Sequence, residues 1–128
     1  MSKVFFRLFV LASRFERKDW LSQANYALRQ DMPAAACVLA RIAIEQHLRD
    51  AVRQRGEKWK HKTAAIGFLY HHGVITERQR ENIRSQLRIA NKAVHGLDVS
   101  YHQVNALLNA ARNIRKRIPV LDLEGGAA

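Results

Sequence analysis

Between Thr76 and Gly96 the chain holds no glycine or proline, and its residues recur at helical spacing. Thr76-Glu77-Arg78-Gln79 places a hydroxyl three positions before a glutamine, the capping-box signature of a helix start. Gly96 supplies the left-handed residue that closes many helices. Ile83, Leu87, Ala90, Val94 and Leu97 fall four, three, four and three apart, which predicts one apolar stripe facing a core. Arg80, Arg84, Arg88, Asn91 and His95 fall on the neighbouring stripe. Arg88 and His95 are seven residues apart, about 10 Å along a helix axis. Asn91 stands between them, so one helix end offers a cation, an amide and an imidazole in a row.

The rest of the chain supplies the partners of this helix. Trp20, Leu21, Ala24, Ala27 and Leu28 predict a first amphipathic helix over 15–30. Asp31-Met32-Pro33 breaks it, because proline restricts the residue before it and suits a first helical turn. A long helix to about residue 55 follows, with Ala35, Val38, Leu39, Ile42, Leu48 and Val52 as its inner face and Gly56 as its stop. The polar link Glu57-Lys58-Trp59-Lys60-His61-Lys62 leads to a short helix over 63–72, with Ile66, Leu69 and Tyr70 inward. Trp59 among cations suits either a core edge or a base to stack on, and the core edge is the commoner role. Ser100-Tyr101-His102-Gln103 repeats the capping signature before a last helix, which Pro119 ends. Its inner residues are Val104, Leu107, Leu108, Ala111, Ile114 and Ile118, and its outer face carries Arg112, Arg115, Lys116 and Arg117.

No stretch shows strand alternation, and no repeat is present. The expectation is an all-α antiparallel bundle of four main helices plus one short helix. It forms a single domain over 1–128, with a core over about 16–118, an apolar N-terminal element over 3–15 and a frayed tail over 119–128. The apolar run after Arg7 is too short for a membrane span and weak as a secretory signal. A cytoplasmic protein with no membrane role is therefore expected. The single Cys37 forms no internal disulfide and lies in an apolar run, as a buried small hydrophobe would. His71 and His72 are adjacent and point to different helix faces, and no further donors complete a metal site, so neither a metal nor another cofactor is expected.

Charge suggests the partner. Lysine and arginine number 22 against 11 acidic residues, a net charge of +11. That excess fits a polyanion, most simply a nucleic acid, or an uncommitted basic surface. Candidate contacts are Arg84, Lys92, Lys58, Lys60, Lys62, Arg112, Arg115, Lys116 and Arg117. With RNA as that partner, the row at the helix end gains a chemical sense. A histidine moves protons near neutral pH, a guanidinium stabilises charge on a phosphate, and the RNA 2′-hydroxyl is a built-in nucleophile. One helix supplies one such histidine, and a two-fold dimer supplies a second.

Three stretches resemble the HEPN superfamily of small helical bundles, in particular its branch found near restriction and phage-defence genes. They are Ala40-Arg41-Ile42-Ala43-Ile44-Glu45-Gln46-His47-Leu48, the segment 69–75 with Gly73, and Arg88-Ile89-Ala90-Asn91-Lys92-Ala93-Val94-His95. The last is similar to that superfamily's arginine–histidine signature with an Asn-x-Ala-x-His ending. The resemblance implies a metal-independent endoribonuclease acting as a homodimer, often as a toxin or defence effector. Arg88 and His95 would be its catalytic pair, Asn91 its support, and an antitoxin or a larger defence complex its protein partner. The position after the superfamily's arginine is often polar and is Ile89 here. That favours the alternative, a non-catalytic module that binds nucleic acid or a nucleotide, or serves in dimerisation.

Overall fold

The computed structural model describes residues 20–96 and 98–120. Five helices follow one another: α1 (Trp20–Arg29), α2 (Pro33–Gln54), α3 (Lys62–His71), α4 (Glu77–Val94) and α5 (Tyr101–Arg117). No strand occurs among the described residues. The all-α bundle of four main helices and a short one is therefore present. The apolar element at 3–15, the stretch of the first helix before Trp20, Leu97 and the tail beyond Val120 lie outside the described residues.

The start signals act through local hydrogen bonds. The Thr76 hydroxyl accepts from the Gln79 amide at 3.1 Å, and the Gln79 side chain accepts from the Thr76 amide at 2.7 Å. Ser100 and Gln103 make the same reciprocal pair at the head of α5. Each pair satisfies two backbone donors that a helix start leaves open. Helix α2 begins without a side-chain cap, and Pro33 instead presets its first turn. Asp31 before it sits at φ 59°, a left-handed conformation that a short polar side chain tolerates. Helix α3 starts one residue earlier than expected, at Lys62, because His61 caps it: Nδ1 accepts from the Ala64 amide at 3.2 Å.

Helix α2 is the central element and packs against each of the other four. Its buried face is Ala35, Ala36, Cys37, Leu39, Ala40, Ile44, Leu48, Ala51 and Val52. Val38 and Ile42, expected inside, are only half-buried. The alanines at 36 and 40 and the small Cys37 let neighbouring helices approach closely, so the packed arc centres on Cys37, Ile44 and Leu48. The two branched residues are left at its edge. Burial pushes the Cys37 thiol up to about 11, so it is uncharged and inert at neutral pH. Trp59 takes the core-edge role: it packs half-buried on the core, with the Arg49 guanidinium 5.0 Å from its ring centre.

The end of α5 is fastened to the second half of α2. One ring nitrogen of His47, Nε2, lies 2.7 Å from the Ile118 carbonyl and donates to it. The Arg55 guanidinium donates to the Pro119 carbonyl at 3.2 Å. Desolvation is the largest influence on His47 and holds its pKa below the ordinary 6.5. Arg115 and Arg55 push the same way, while the Ile118 bond and Asp50 oppose them. A histidine with a lowered folded pKa lets the unfolded chain take the proton first. The stabilisation is therefore complete above 6.5 and is lost as pH falls below it towards the folded value. Melting temperatures between about pH 8 and pH 5 should fall less steeply for His47→Gln, whose amide keeps a donor. An unchanged slope would mean that this histidine carries no share of the acid sensitivity.

Candidate functional site

The polar stripe of α4 divides into an engaged half and an open half. Arg80 is tied down: its guanidinium donates to Glu77 at 2.6 Å and lies 4.2 Å from the Tyr70 ring centre. The bond from Arg80 is the largest influence on Glu77 and holds its carboxyl below the usual range. Arg84 pairs with Glu81 at 3.7 Å. Beyond them, Arg88 and His95 are exposed and Asn91 is half-buried. Among the described residues no side-chain hydrogen bond or ion pair engages any of these three.

Backbone chemistry sets the position of His95. Helix α4 ends at Val94, and His95 is its C-cap rather than a helical residue. The His95 amide still donates to the Asn91 carbonyl at 3.0 Å, so its place relative to Asn91 is fixed by the last helical bond. Gly96 then turns the chain at φ 76°, a region that residues with a Cβ rarely enter. A Cβ built there meets nothing within 4 Å, so conformation and not space calls for glycine.

Val94 was expected in the core seam and is 47% exposed. At the last turn of α4 the neighbouring Ala93 is buried instead. Tyr101, at the head of α5, is 63% exposed. Two large hydrophobic side chains thus stand in the open at the end of the bundle where His95 lies. Sequence reasoning placed Val94 inside because helical spacing says which face a residue takes and not what covers it, and it assigned Tyr101 no face.

The basic residues do not form one stripe. Lys58, Lys60 and Lys92 are exposed, whereas Lys62 is half-buried with its amine 3.8 Å from Glu45, which also holds Arg41. Arg112 was expected as a free cation on the outer face. It is exposed but engaged, donating to Asn109 at 2.5 Å and to Asn25 of α1 at 2.6 Å. It clasps two helices together. Arg115, Lys116 and Arg117 are exposed and point around α5 at successive steps of about 100°. Among the described residues no group of three histidine, cysteine or acidic side chains is placed to hold a metal ion. No helix there is long and apolar enough to cross a membrane.

Comparison with known proteins identifies no relative: no family model, no curated protein and no solved structure matches this chain.

Proposed function

We propose that this chain is a metal-independent endoribonuclease of HEPN type that works as a homodimer, as a toxin or a defence effector. The observation that carries this reading is the open half of the α4 stripe. Arg88, Asn91 and His95 have no side-chain partner among the described residues, whereas Arg80 and Arg84 of the same stripe are held by acids or an aromatic ring. Free polar side chains in a row, one of them fixed by a C-cap and a glycine turn, are what a phosphodiester ligand needs.

In the mechanism, His95 takes the proton from a ribose 2′-hydroxyl. The oxygen attacks the adjacent phosphorus, and the bond from phosphorus to the 5′-oxygen breaks. A second acid gives that oxygen a proton, leaving a 2′,3′-cyclic phosphate and a 5′-hydroxyl. Arg88 stabilises the charge that gathers on the phosphoryl oxygens. The second acid is the partner's copy of the same histidine. Val94 and Tyr101 support self-association here, since exposed large side chains next to a site suit an interface.

The competing reading is a binding module without catalysis. It is favoured by the absence, among the described residues, of a fixing partner for the His95 ring, since catalytic imidazoles are oriented by a hydrogen bond to the other nitrogen. One experiment separates the two. Purified protein should cut single-stranded RNA in the presence of EDTA, because the stripe offers a single nitrogen donor and no carboxylate. The fragments should carry 5′-hydroxyl ends that a kinase labels directly. RNA that is bound yet left intact hands the site to the binding reading. In either case, affinity should fall steeply with added salt, as counterion release requires. Reversing Arg115, Lys116 and Arg117 together should weaken binding while the melting temperature holds.

A further inference from the structure

Helices α2 and α5 finish beside one another, and their ends form a surface that the cleavage chemistry does not use. Two bonds join them: His47 of α2 to the Ile118 carbonyl at 2.7 Å, and Arg55 to the Pro119 carbonyl at 3.2 Å. The positive charges of Arg55 and Arg115, one from the end of each helix, both reach the His47 ring. Over residues 53–60 and 115–120 the chain carries seven cations and one acid, Glu57. Asp50, which also faces His47, lies 3.4 Å from the Gln46 amide.

A helix C-terminus favours a nearby cation, and α1, α3 and α4 each end on one basic residue, Arg29, His71 and Lys92. Helix α5 ends on three, Arg115, Lys116 and Arg117. The end of α2 adds Arg53 in its last turn, and the link that follows adds Lys58 and Lys60. All six are exposed, and none has a side-chain hydrogen bond or ion pair among the described residues. Like charges gathered in this way repel, and a polyanion laid across them relieves the repulsion. The large hydrophobic side chains exposed among the described residues, Tyr26, Val94 and Tyr101, all lie outside these two segments. A protein partner wants an apolar centre to its interface, and a membrane surface wants an apolar face beside the charge. A phosphate backbone wants neither, because its contacts are charge and position.

We propose that the joined ends of α2 and α5 hold the phosphate backbone of the RNA away from the cut, so that the substrate is a strand long enough to reach both places. This rests on the RNA reading above and adds the length of its substrate. Arg117 and Arg78 line one groove, which sets the end of α5 beside the start of α4. His95 caps the other end of α4, a helix of 18 residues, about 27 Å away. At about 3.4 Å per stacked nucleotide, a strand that reaches both has roughly eight nucleotides or more.

The test uses the full-length protein and fluorescein-labelled, 2′-O-methyl single strands of four and sixteen nucleotides, which lack the 2′-hydroxyl and so stay intact while bound. Fluorescence anisotropy should find the longer strand bound about tenfold or more tightly. The triple variant Arg115→Gln, Lys116→Gln, Arg117→Gln should lose about tenfold or more on the sixteen-mer and less than about twofold on the four-mer. Its slope of log affinity against log salt should flatten by about two, as the loss of three phosphate contacts to a single strand requires. A second triple variant, Arg53→Gln, Lys58→Gln, Lys60→Gln, should also lose affinity for the sixteen-mer alone, because both helix ends form one surface. Melting temperatures should match the parent. Equal losses at the two lengths, or full sixteen-mer affinity in either triple variant, overturn this surface and leave the RNA reading standing. Displacement of the sixteen-mer by polyglutamate or by phosphatidylserine vesicles as effectively as by unlabelled strand assigns the surface to a protein or a membrane and overturns the proposal. A parent that binds neither strand overturns the RNA reading, and this surface with it.

Discussion

Replacing His95 with alanine is expected to abolish RNA cleavage, with a loss on the order of 10²-fold or more. The imidazole is the one proton-transfer group in the stripe, so no neighbour can substitute for it. Arg88→Ala should cripple the reaction to a similar extent, because removing a charged donor from the developing oxyanion costs about 10²–10³-fold. Asn91→Ala should cost less, since an amide orients and does not carry charge. All three variants should fold as the parent does. Arg88 and His95 are exposed, Asn91 is half-buried, and no hydrogen bond among the described residues is lost with any of them. His95 at φ −88° is a conformation that alanine adopts freely. Circular dichroism and a melting curve check the fold, and single-turnover cleavage at fixed RNA concentration checks the chemistry. Activity that survives in His95→Ala, or that needs Mg²⁺, would show this mechanism to be wrong even where the activity is real.

The largest effect on stability should come from Leu48→Ala. Leu48 is fully buried in the helix that touches every other helix, so a cavity there is shared by several elements and cannot collapse onto one. Losses of about 2–5 kcal/mol follow such truncations, against about 5–15 kcal/mol for a whole domain. The variant should therefore melt far below the parent or fail to fold. Arg53→Ala, at an exposed side chain of the same helix, serves as the contrast and should shift stability by no more than about 0.5 kcal/mol. Urea titration followed by circular dichroism measures both. A Leu48→Ala protein with parental stability would mean that α2 is not the centre of the core.

These contrasts bear on what was legible in the sequence. The helix starts at Glu77 and Tyr101 were readable because a capping box is a local code, closed within four residues and indifferent to the fold around it. Helix α2 was readable in extent but not in facing. Its run of alanines gives the hydrophobic pattern little contrast, and although Cys37 was readable as buried, only packed neighbours show that Ile44 faces in while Val38 and Ile42 sit at an edge. Arg112 shows a second limit. A cation on an outer face reads as free until the fold brings Asn25, distant in the chain, to within hydrogen-bonding reach. The stripe of Arg88, Asn91 and His95 was legible from spacing alone, because all three belong to one helix end.

The glycine turn after His95 bears on how such a chain can vary. The His95 backbone is placed by a bond to the Asn91 carbonyl and a left-handed glycine, with little call on the side chains around it. Val94, Lys92 and Tyr101 beside it are exposed and do no packing that holds the histidine in place. Substitutions at those positions change which surface is presented next to His95 without moving its backbone. Gly96 has no such latitude, although a Cβ added there would meet nothing within 4 Å. An inventory of contacts would rank it among the most expendable residues of the chain, and stereochemistry ranks it among the least.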